Sequence, residues 1–571
     1  MDGALVEVFE MAPLAGVHAS PTCMHVLGVL RLLDSLNRHR LRLLAQVEPA
    51  AGKVLGPGVA PGYIPRDALI SRNLSPKLRQ QLQDVLAICG GGLPSWCREL
   101  VTAAPFLFPF EMRRRYFYCT ALGLARALQH LQQQQQVEGG SSAVSSNNRE
   151  MRLARLQRQK VRVNRNRILD SAVKVMELYA SHRAVLEVEY VGEVGTGLGP
   201  TLEFYTLLSH ELQRKGLGMW CENCDEGKQT KDPTPGGQGE TTPDGEPMIF
   251  APHGLFPIPI LDSASSSAVK VVERFRLLGR MMAKALQDNR LLDLPLSHCF
   301  YRAVLGRPLD LYDICSFDPQ LGSSLVKLSS AYRTRQADGN VQIDGISISD
   351  LCLTFTLPGQ EDVELKAGGK DIVVMCANVE EYLQLVVDAT LGSGIKAQVE
   401  AFRSGFEEVF PLRHLYCFYE DEIESMLCGS DDAWDVDLLF KVIKFDHGYS
   451  GDSAPVRHFV ELLCELDRKE RKAFLRFVTG SPRLPPGGLS SLQPQLTVVR
   501  KHPSGGDVPT PGTTPGTPGV RDEGTTLADG DLPSVMTCAN YIKLPPYSCK
   551  EVLKERLMYA IREGQGSFDL S

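Results

Sequence analysis

Apolar residues recur at helical spacing along most of the chain, which predicts a largely helical protein. This spacing is clearest over the ranges 78–88, 113–131, 268–287, 379–428 and 456–477. A last helix is predicted near the C-terminal end. There, Ser548 and Glu551 have the spacing of a capping box, and Gly564 supplies a stop signal. We therefore expect helices to build most of the core.

Shorter stretches alternate apolar and polar residues, as half-buried β-strands do. The range 184–191 is the clearest of them, and short runs between 341 and 365 have the same character. A glycine-rich loop and a helix from about Thr201 follow the first strand. The glycines do not have the spacing of a phosphate-binding loop, so we interpret the loop as a tight turn. Long helices with a few strands predict an α+β fold.

Three low-complexity stretches divide the chain, and their composition is typical of linkers or insertions. They cover residues 132–149, 225–247 and 502–531. After the first stretch, residues 151–167 contain seven Lys or Arg residues. We interpret this basic run as the solvated start of a helix that continues through Ile168, because the apolar spacing continues out of it. The alternative is a nuclear-import or polyanion patch.

The composition excludes several classes of protein. The net charge of -7 argues against a general nucleic-acid binder, and no window approaches the ~20 apolar residues of a transmembrane helix. The N-terminus lacks a basic leader before an apolar core, so we predict no secretory signal and a cytoplasmic or nuclear location.

The 15 cysteines are then reduced thiols. Cys221 and Cys224 form a single C-x-x-C pair, and no metal is predicted.

Cys538 differs from the other cysteines in its surroundings. A long stretch rich in Pro, Gly and Thr precedes it, and the strand-like run 541–544 follows it. Other cysteines, such as Cys464, lie in apolar helical runs and behave as small hydrophobic residues. A thiol between Thr537 and Asn540, at the edge of a loop, can be reached by another molecule. The pattern predicts a nucleophile that carries an acyl group.

Three motifs resemble those of the HECT ubiquitin ligases, and the resemblance extends over about residues 162–571. The motifs are Phe477-Val478-Thr479-Gly480-Ser481-Pro482-Arg483-Leu484-Pro485-Pro486-Gly487-Gly488, Leu532-Pro533 to Thr537-Cys538, and Leu544-Pro545-Pro546-Tyr547-Ser548 with Phe568 fourth from the end. Met536 and Ala539 stand where the family usually has His and Phe. This form of the active-site motif, Met536-Thr537-Cys538-Ala539-Asn540, is most similar to that of the plant KAKTUS-type ligases and their animal thyroid-receptor-interacting relatives.

The resemblance implies a bilobal catalytic domain after a helical N-terminal region. A large, mainly helical N-lobe is expected to carry the low-complexity insert, and a small α/β C-lobe is expected to carry Cys538. The implied boundaries are 1–131 for the helical region, 132–149 for the linker, 162–435 for the N-lobe with insert 225–247, 436–449 for a hinge, and 450–571 for the C-lobe with insert 502–531.

The resemblance also implies the reaction. Cys538 would accept ubiquitin as a thioester from a ubiquitin-conjugating enzyme (E2) and pass it to a substrate lysine. The outcome would be polyubiquitination and proteasomal degradation of protein substrates, without a cofactor, a nucleic acid or a membrane. Implied supporting residues are Thr537 and Asn540 as donors to the intermediate, Phe568 to dock the C-terminal tail, Asp569 to orient or deprotonate the lysine, and Leu325, Leu328 and Tyr382 as E2 contacts.

Two other functions stay open on the residues alone. A cysteine hydrolase would need a histidine paired with the cysteine, and the candidates are His414, His447, His458 and His502. A non-catalytic scaffold would use its helices to bind partners, and its function would not depend on Cys538. The released or transferred product distinguishes these alternatives from a ligase.

Overall fold

The structure is a computed structural model of the chain. It describes residues 20–47, 64–138, 156–195, 197–222, 247–249, 251–262, 265–333, 342–343, 346–429, 434–501 and 528–563. Within these residues the chain is mixed helix and sheet, so the predicted α+β class is confirmed. No described helix combines the length and the apolar character that crossing a bilayer requires.

Among the residues that the structure describes, six α-helices precede the first strand. They are α1 (Pro21–Val47), α2 (Leu74–Gln81), α3 (Val85–Cys89), α4 (Ser95–Ala103), α5 (Phe110–Ala121) and α6 (Leu124–Glu138). The last of them runs through the glutamines that sequence reasoning placed in a linker from residue 132. This prediction was wrong for 132–138, because glutamine is a good helix former and the helix that starts at Leu124 continues through the run. Residues 139–155 lie outside the described part.

The basic run forms a strand and not the start of a helix. Strand β1 (Arg158–Val163) pairs in parallel with β2 (Val185–Tyr190), and α7 (Ile168–Tyr179) lies between them. Lys160 donates to Glu189 on the neighbouring strand at 2.7 Å. Charged residues that alternate with Val161 and Val163 are the period-two signal that the helical interpretation missed. The predicted strand at 184–191 and the helix that follows it are confirmed.

A helical array with small hairpins follows. It comprises α8 (Leu198–Glu211), α9 (Ser266–Asp288), α10 (His298–Leu305), α11 (Leu311–Phe317), α12 (Pro319–Arg333), β3 (Gln342–Ile343), β4 (Ile346–Ser347), β5 (Thr356–Leu357), β6 (Gln360–Glu364), α13 (Val379–Leu391), α14 (Ser393–Glu407) and α15 (Glu420–Cys428). Buried apolar residues from Leu78 to Cys428 form one continuous cluster. The N-terminal helices therefore share a core with this array and are not a separate region.

Two glycines let the long helices α9 and α14 approach closely. A Cβ at Gly279 would lie 2.1 Å from the carbonyl oxygen of Phe402, and one at Gly405 would lie 2.1 Å from that of Arg276. Neither distance is possible for real atoms, so both positions require glycine. The contact brings the two helix backbones together in the middle of the first core.

Gly279→Ala is therefore expected to lower the free energy of unfolding by about 1–3 kcal/mol, because the methyl group must push α14 away. Gly28→Ala is the matched control, since nothing lies within 4 Å of a Cβ at that helical position. Because alanine loses less backbone entropy than glycine when the helix forms, that variant should be more stable by roughly 0.5–1 kcal/mol. Urea denaturation measures both, and equal effects of the two changes would contradict the close packing.

The remaining chain forms a second cluster of buried apolar residues, from Trp434 to Ile561. Its elements are α16 (Val436–Val442), β7 (Lys444–Asp446), α17 (Ala454–Glu465), α18 (Arg468–Thr479), β8 (Thr497–Arg500), β9 (Ser534–Met536), β10 (Tyr541–Leu544) and α19 (Lys550–Glu563). The four strands form one sheet in the order β7-β8-β10-β9. Strand β8 pairs in parallel with β7 and β10, and β10 also pairs antiparallel with β9, so β8 and β10 each have a strand on both sides.

The structure corrects three expectations in this second unit. Residues 436–449 form α16 and the edge strand β7, and Leu439 is fully buried, so the segment belongs to the unit and is not a loop-like hinge. The helix expected over 456–477 is broken in two, because Asp467 and Glu470 form a capping box that starts α18. Ser548 does not cap α19, because the helix begins at Lys550 and Cys549 is the residue before it; the Ser548 hydroxyl donates to Asp529 at 2.6 Å.

Candidate active site

Cys538 lies at the tip of a β-hairpin. Strands β9 and β10 pair antiparallel with Met536 opposite Tyr541, and residues 537–539 form one turn of 3₁₀-helix between them. Because β10 also pairs with β8, the hairpin is anchored in the sheet. We call residues 537–540 the cysteine turn. A residue in such a turn can be approached by a second macromolecule without disruption of the sheet.

Asn540 fixes the return of the chain into β10. Its φ is 48°, a left-handed conformation that asparagine tolerates better than most residues. Its side chain is buried, and its amide nitrogen donates to the carbonyl oxygen of Pro494 at 2.6 Å. The predicted role of Asn540 as a donor to the reaction intermediate is not supported, because the amide is engaged inside the unit. Asn540 instead shapes the cysteine turn.

Asn540→Ala should lower the free energy of unfolding by about 2 kcal/mol. Alanine in a left-handed conformation costs roughly 1–2 kcal/mol, and the Pro494 carbonyl group loses its donor. Asn540→Gly removes the strain and leaves only the lost hydrogen bond, so it should cost about 1 kcal/mol. Denaturant titration of the two variants checks the order, and a glycine variant less stable than the alanine variant would refute this account.

The cysteine turn packs at the boundary between the two cores. It contacts α8 of the first core and α18 of the second. Beside it, Gly480 ends α18 with φ 81°, and a Cβ there would be 3.3 Å from the carbonyl oxygen of Gly199 on α8. At a second place on the boundary, a Cβ at Gly429 would lie 1.7 Å from the carbonyl oxygen of Leu484. The backbones of the two units therefore approach closely at both places.

A cluster of charges around Asp293 joins the same two units. Its carboxylate accepts from Arg483 Nε at 2.7 Å and lies 3.4 Å from Lys472 Nζ, both from the second unit. His210 Nε2, on α8, is 3.0 Å from the other carboxylate oxygen. Burial alone would raise the pKa of Asp293, but the hydrogen bond from His210 and the charges of Arg483 and Lys472 hold it well below its ordinary value. The ionised form is thus strongly stabilised.

Asp293→Asn should therefore destabilise the protein at pH 7 by about 1.5–3 kcal/mol, the usual loss for hydrogen bonds to a charged group. A carboxyl group whose pKa is lowered by folding contributes stability above its unfolded pKa of about 3.9 and loses it as the pH falls toward the folded value. The difference between wild type and variant should stay constant from pH 7 to about 5 and shrink below pH 4. The urea concentrations at the unfolding midpoint of both proteins, measured across this pH range, test this prediction. A difference that grows on acidification would contradict it.

The other predicted site residues fall in three places. Thr537 is half-buried in the cysteine turn, while Phe568 and Asp569 lie outside the described residues. The three predicted E2 contacts are buried, with 4%, 3% and 3% of their surface exposed: Leu325, Leu328 and Tyr382. Their assignment as contacts is corrected, because side chains inside the core cannot touch a partner.

The histidines considered for a hydrolase are dispersed. His414 belongs to the first unit, and His447 follows β7, at the opposite edge of the sheet from the hairpin. His458 lies on α17, and His502 is outside the described residues. Cys221 is nearly buried and donates to the carbonyl oxygen of Pro257 at 3.3 Å, which is a structural role.

Sequence reasoning missed the Asp293 cluster, although signals for it existed. Asp293 interrupts the apolar run 291–296, and a lone acidic residue in such a run indicates a buried ion pair. Arg483 stands in the first of the three quoted motifs, but no role was attached to it. Its partner could not be named, because 190 residues separate the two along the chain.

Comparison with known proteins agrees with the motifs. The family model described as HECT-domain (ubiquitin-transferase) matches residues 206–571. The chain is 50% identical to the E3 ubiquitin-protein ligase UPL3 of Arabidopsis thaliana, over 97% of the chain and 30% of that protein. It is 40% identical to the E3 ubiquitin-protein ligase TRIP12 of Danio rerio, over 98% of the chain and 26% of that protein.

A more distant relative is the ubiquitin fusion degradation protein 4 of Saccharomyces cerevisiae, 36% identical over 88% of the chain and 32% of that protein. The chain thus spans about a third or less of the length of these curated relatives. The predicted likeness to plant and animal members of one subfamily is confirmed. The matched segment includes α8 from its middle onward, the Asp293 cluster and the cysteine turn, so the chain belongs to the HECT-domain family.

Proposed function

We propose that the chain is the catalytic part of an E3 ubiquitin-protein ligase of the HECT type. It would accept ubiquitin from an E2 as a thioester on Cys538 and transfer it to lysines of protein substrates. The observation that carries this proposal is the position of Cys538 at the tip of an anchored hairpin, inside the segment that matches a ubiquitin-transferase family. One relative is named a degradation protein, which supports polyubiquitination and proteasomal degradation as the outcome.

The chemistry is two acyl transfers. In the first, the Cys538 thiolate attacks the carbonyl carbon of ubiquitin's C-terminal residue, and the E2 cysteine leaves as a thiolate. In the second, a neutral lysine amine attacks the new thioester, Cys538 leaves as a thiolate, and the amine loses a proton to form the isopeptide. Dividing the transfer in this way is covalent catalysis. No cofactor takes part.

The first step needs no strong base next to the cysteine. A free thiol with a pKa near 8.5 is a few per cent thiolate at neutral pH, and thiolates are intrinsically good nucleophiles. One thioester is exchanged for another of similar energy. This agrees with Met536, half exposed, in the position where the family usually has histidine. We further propose that the protein acts in the cytoplasm or the nucleus, where a cysteine thiol stays reduced.

We propose a bilobal arrangement in which the two apolar clusters are the cores of an N-lobe and a C-lobe. The boundary between the lobes would then lie between Cys428 and Trp434, because the first cluster ends at Cys428 and the second begins at Trp434. The Asp293 cluster would hold the lobes in the observed orientation. From the family resemblance, Thr537 would donate to the intermediate, Phe568 would dock the tail and Asp569 would orient the lysine.

A charging assay tests the proposal. Purified protein is mixed with E2 already carrying ubiquitin, in the absence of substrate, and resolved with and without reductant. We expect an adduct heavier by one ubiquitin that reductant removes, with the ubiquitin remnant mapped to Cys538 by mass spectrometry. Rapid release of free ubiquitin without an adduct would indicate a hydrolase, and absence of both products would indicate a scaffold.

A further inference from the structure

A cleft of about 1220 Å³ separates the N-terminal helices α5 and α6 from the starts of β1, β2 and α8. Residues 287–290, at the end of α9, form a further wall. The cleft does not include the cysteine turn, so the proposed transfer of ubiquitin leaves it without a role. The charged residues that line it are Arg126, Arg158, Glu187, Asp288 and Arg290.

Both acidic residues that line the cleft already have a basic partner. Asp288 accepts from Arg126 Nη2 at 2.6 Å and lies 3.7 Å from Lys284 Nζ. The other nitrogens of Arg126 donate to backbone carbonyl oxygens, at 2.7 Å each. Glu187 lies 3.4 Å from Arg158 Nη1. These pairs therefore use two of the three arginines in the lining.

Arg290 carries the positive charge that is left over. Its side chain makes no hydrogen bond or ion pair with any described residue, and its Nε is enclosed by protein. Burial is the main cause that lowers the pKa of Arg290, and the charge of Asp288 opposes this shift only in part. Removing a cation from water without a counter-ion is unfavourable, so the site favours a bound anion.

A second polar group without a partner lines the same cleft. The His130 side chain is 7% exposed, and its Nε2 has no hydrogen-bond partner in the described part of the chain. Its ring stacks on that of Tyr118 with 4.0 Å between the centroids, and the Tyr118 hydroxyl donates to Asn289 Oδ1 at 3.3 Å. Because Asn289 precedes Arg290, the imidazole lies on the side of the cleft where Arg290 lies. Burial and two neighbouring arginines lower the pKa of His130 to about 3, so at pH 7 the neutral ring can donate one N–H.

Helix α8 begins at the same cleft. Gly197, at its N-cap, has no side chain to accept from the first amides, and no residue of the first turn is acidic. No atom of the described residues lies within 4 Å of a Cβ placed on Gly197, so there is room beside the helix start. Such a helix end carries partial positive charge and free N–H groups. The glycine loop alone lacks the spacing of a phosphate-binding loop, so an anion held here needs further donors, and Arg290 and His130 supply them.

Strand β2 sets the spacing between the helix start and Arg290. The Leu186 amide donates to the Asp288 carboxylate at 3.2 Å, and the Val188 amide donates to the Thr201 hydroxyl at 2.9 Å. Amides two residues apart lie on the same edge of a strand, about 6.6 Å from each other. The end of α9 and the first turn of α8 are therefore neighbours along β2, and both supply donors to one region of the cleft.

We propose that the cleft binds the phosphate group of a phosphate monoester between Arg290 and the start of α8. Donors approach this region from two elements, so the acceptor needs oxygens on more than one side, which a tetrahedral phosphate has and a planar carboxylate lacks. A guanidinium and a helix N-terminus together match its charge of about −1.5 to −2. The cleft is larger than a phosphate ion and leaves room for the body of the ester. The inference stands whether or not Cys538 carries ubiquitin.

Isothermal titration calorimetry of the full chain, at constant ionic strength, tests the site. The probes are inorganic phosphate, AMP and the peptide acetyl-Gly-Gly-phosphoserine-Gly-Gly-amide, with the unphosphorylated peptide as the negative control. We expect a phosphate probe to bind the wild type, and to bind Arg290→Gln at least about tenfold more weakly, as for the loss of one charge-assisted hydrogen bond. Arg162→Gln is the matched control and should bind as the wild type does, because that arginine is exposed on β1 and does not line the cleft.

A second pair of variants tests the helix start with Arg290 in place. Leu198→Glu puts a carboxylate at the first position of α8, where the helix dipole stabilises it, so the fold is kept. We expect this charge to repel the phosphate and weaken its binding at least about tenfold. Leu198→Gln has the same shape without the charge and should bind normally. The probe should raise the melting temperature of the wild type and Leu198→Gln, but not that of Arg290→Gln or Leu198→Glu.

The probe that binds most tightly identifies the source of the phosphate, as a free ion, a nucleotide or a phosphorylated side chain. Binding of no phosphate probe above the level of the unphosphorylated peptide would overturn the proposal. Equal losses in Arg290→Gln and Arg162→Gln would show that the binding is a general effect of charge and would also overturn it. Equal losses in Leu198→Glu and Leu198→Gln would refute the placement of the phosphate at the start of α8.

Discussion

Cys538→Ser should abolish isopeptide formation by the chain while leaving its fold intact. Serine keeps the size of the side chain, but its hydroxyl is a far weaker nucleophile and its ester reacts slowly with amines. We expect the rate of ubiquitin transfer to a substrate lysine to fall by at least about a thousandfold, equivalent to roughly 4 kcal/mol in the barrier. In the charging assay the variant should form a small amount of adduct that resists reductant, which is the oxygen ester.

Cys464→Ser is the matched control for this change. That cysteine lies on α17 in the same unit, half-buried, and its pKa is raised chiefly by burial, as expected for a structural thiol. Its replacement should leave the transfer rate within about twofold of wild type. If Cys538→Ser kept a normal yield of isopeptide product, or if the two variants lost activity equally, the assignment of Cys538 as the carrier would fail.

Local sequence features placed Cys538, the proposed carrier, just before a strand, as the structure does, because the signals for that strand are short in range. A stretch rich in Pro, Gly and Thr, the cysteine and the strand follow one another in the sequence, and the hairpin forms from residues 534–544. The glycine loop after β2 likewise begins with a tight turn: the Glu193 backbone amide donates to the carbonyl oxygen of Tyr190 at 3.3 Å, and Gly192 has a φ of 88°. Where structure is built by neighbours in sequence, pattern alone is sufficient to predict it.

Predictions failed where distant residues decide the outcome. The segment 436–449 has loop-like composition, but β7 is a strand because β8, about 50 residues later, supplies its hydrogen-bond partners. The three assigned E2 contacts have the helical spacing of either a core or a surface, and only packing shows that they are buried. The N-terminal helices gave no sign of sharing a core with residues up to 428, because a helix's apolar face does not name its partner.

Because the N-terminal helices share the first core, we expect a large loss of stability when one buried ion pair is broken. Arg113 on α5 makes a two-pronged contact with Glu422 on α15, and only 3% and 9% of the two side chains are exposed. Arg113 also donates to the carbonyl oxygens of Cys417 and Phe108, at 2.8 and 3.1 Å. Glu422 accepts from the backbone amide of Tyr419 at 2.9 Å, which caps α15. Every polar group of the pair is therefore satisfied inside the protein.

Removal of either partner leaves a buried charge alone. Arg113→Met and Glu422→Gln should each lower the free energy of unfolding by about 3–5 kcal/mol, the usual cost of breaking a buried pair from one side. The double change Arg113→Met/Glu422→Gln should cost less than the sum of the single changes, because no unpaired charge remains. Urea denaturation at pH 7 measures all three.

The neighbouring pair between Arg66 and Asp421 provides an internal control. It also connects the N-terminal segment to α15, with a distance of 2.7 Å, but its side chains are 44% and 47% exposed. Water screens such a pair, so Arg66→Met should cost only about 0–1 kcal/mol. The contrast between two ion pairs at adjacent positions of α15 separates burial from charge as the cause. A loss at Arg113 no larger than that at Arg66 would mean that the N-terminal helices are not part of the cooperative core. In that case α5 would be expected to unfold independently of the proposed N-lobe.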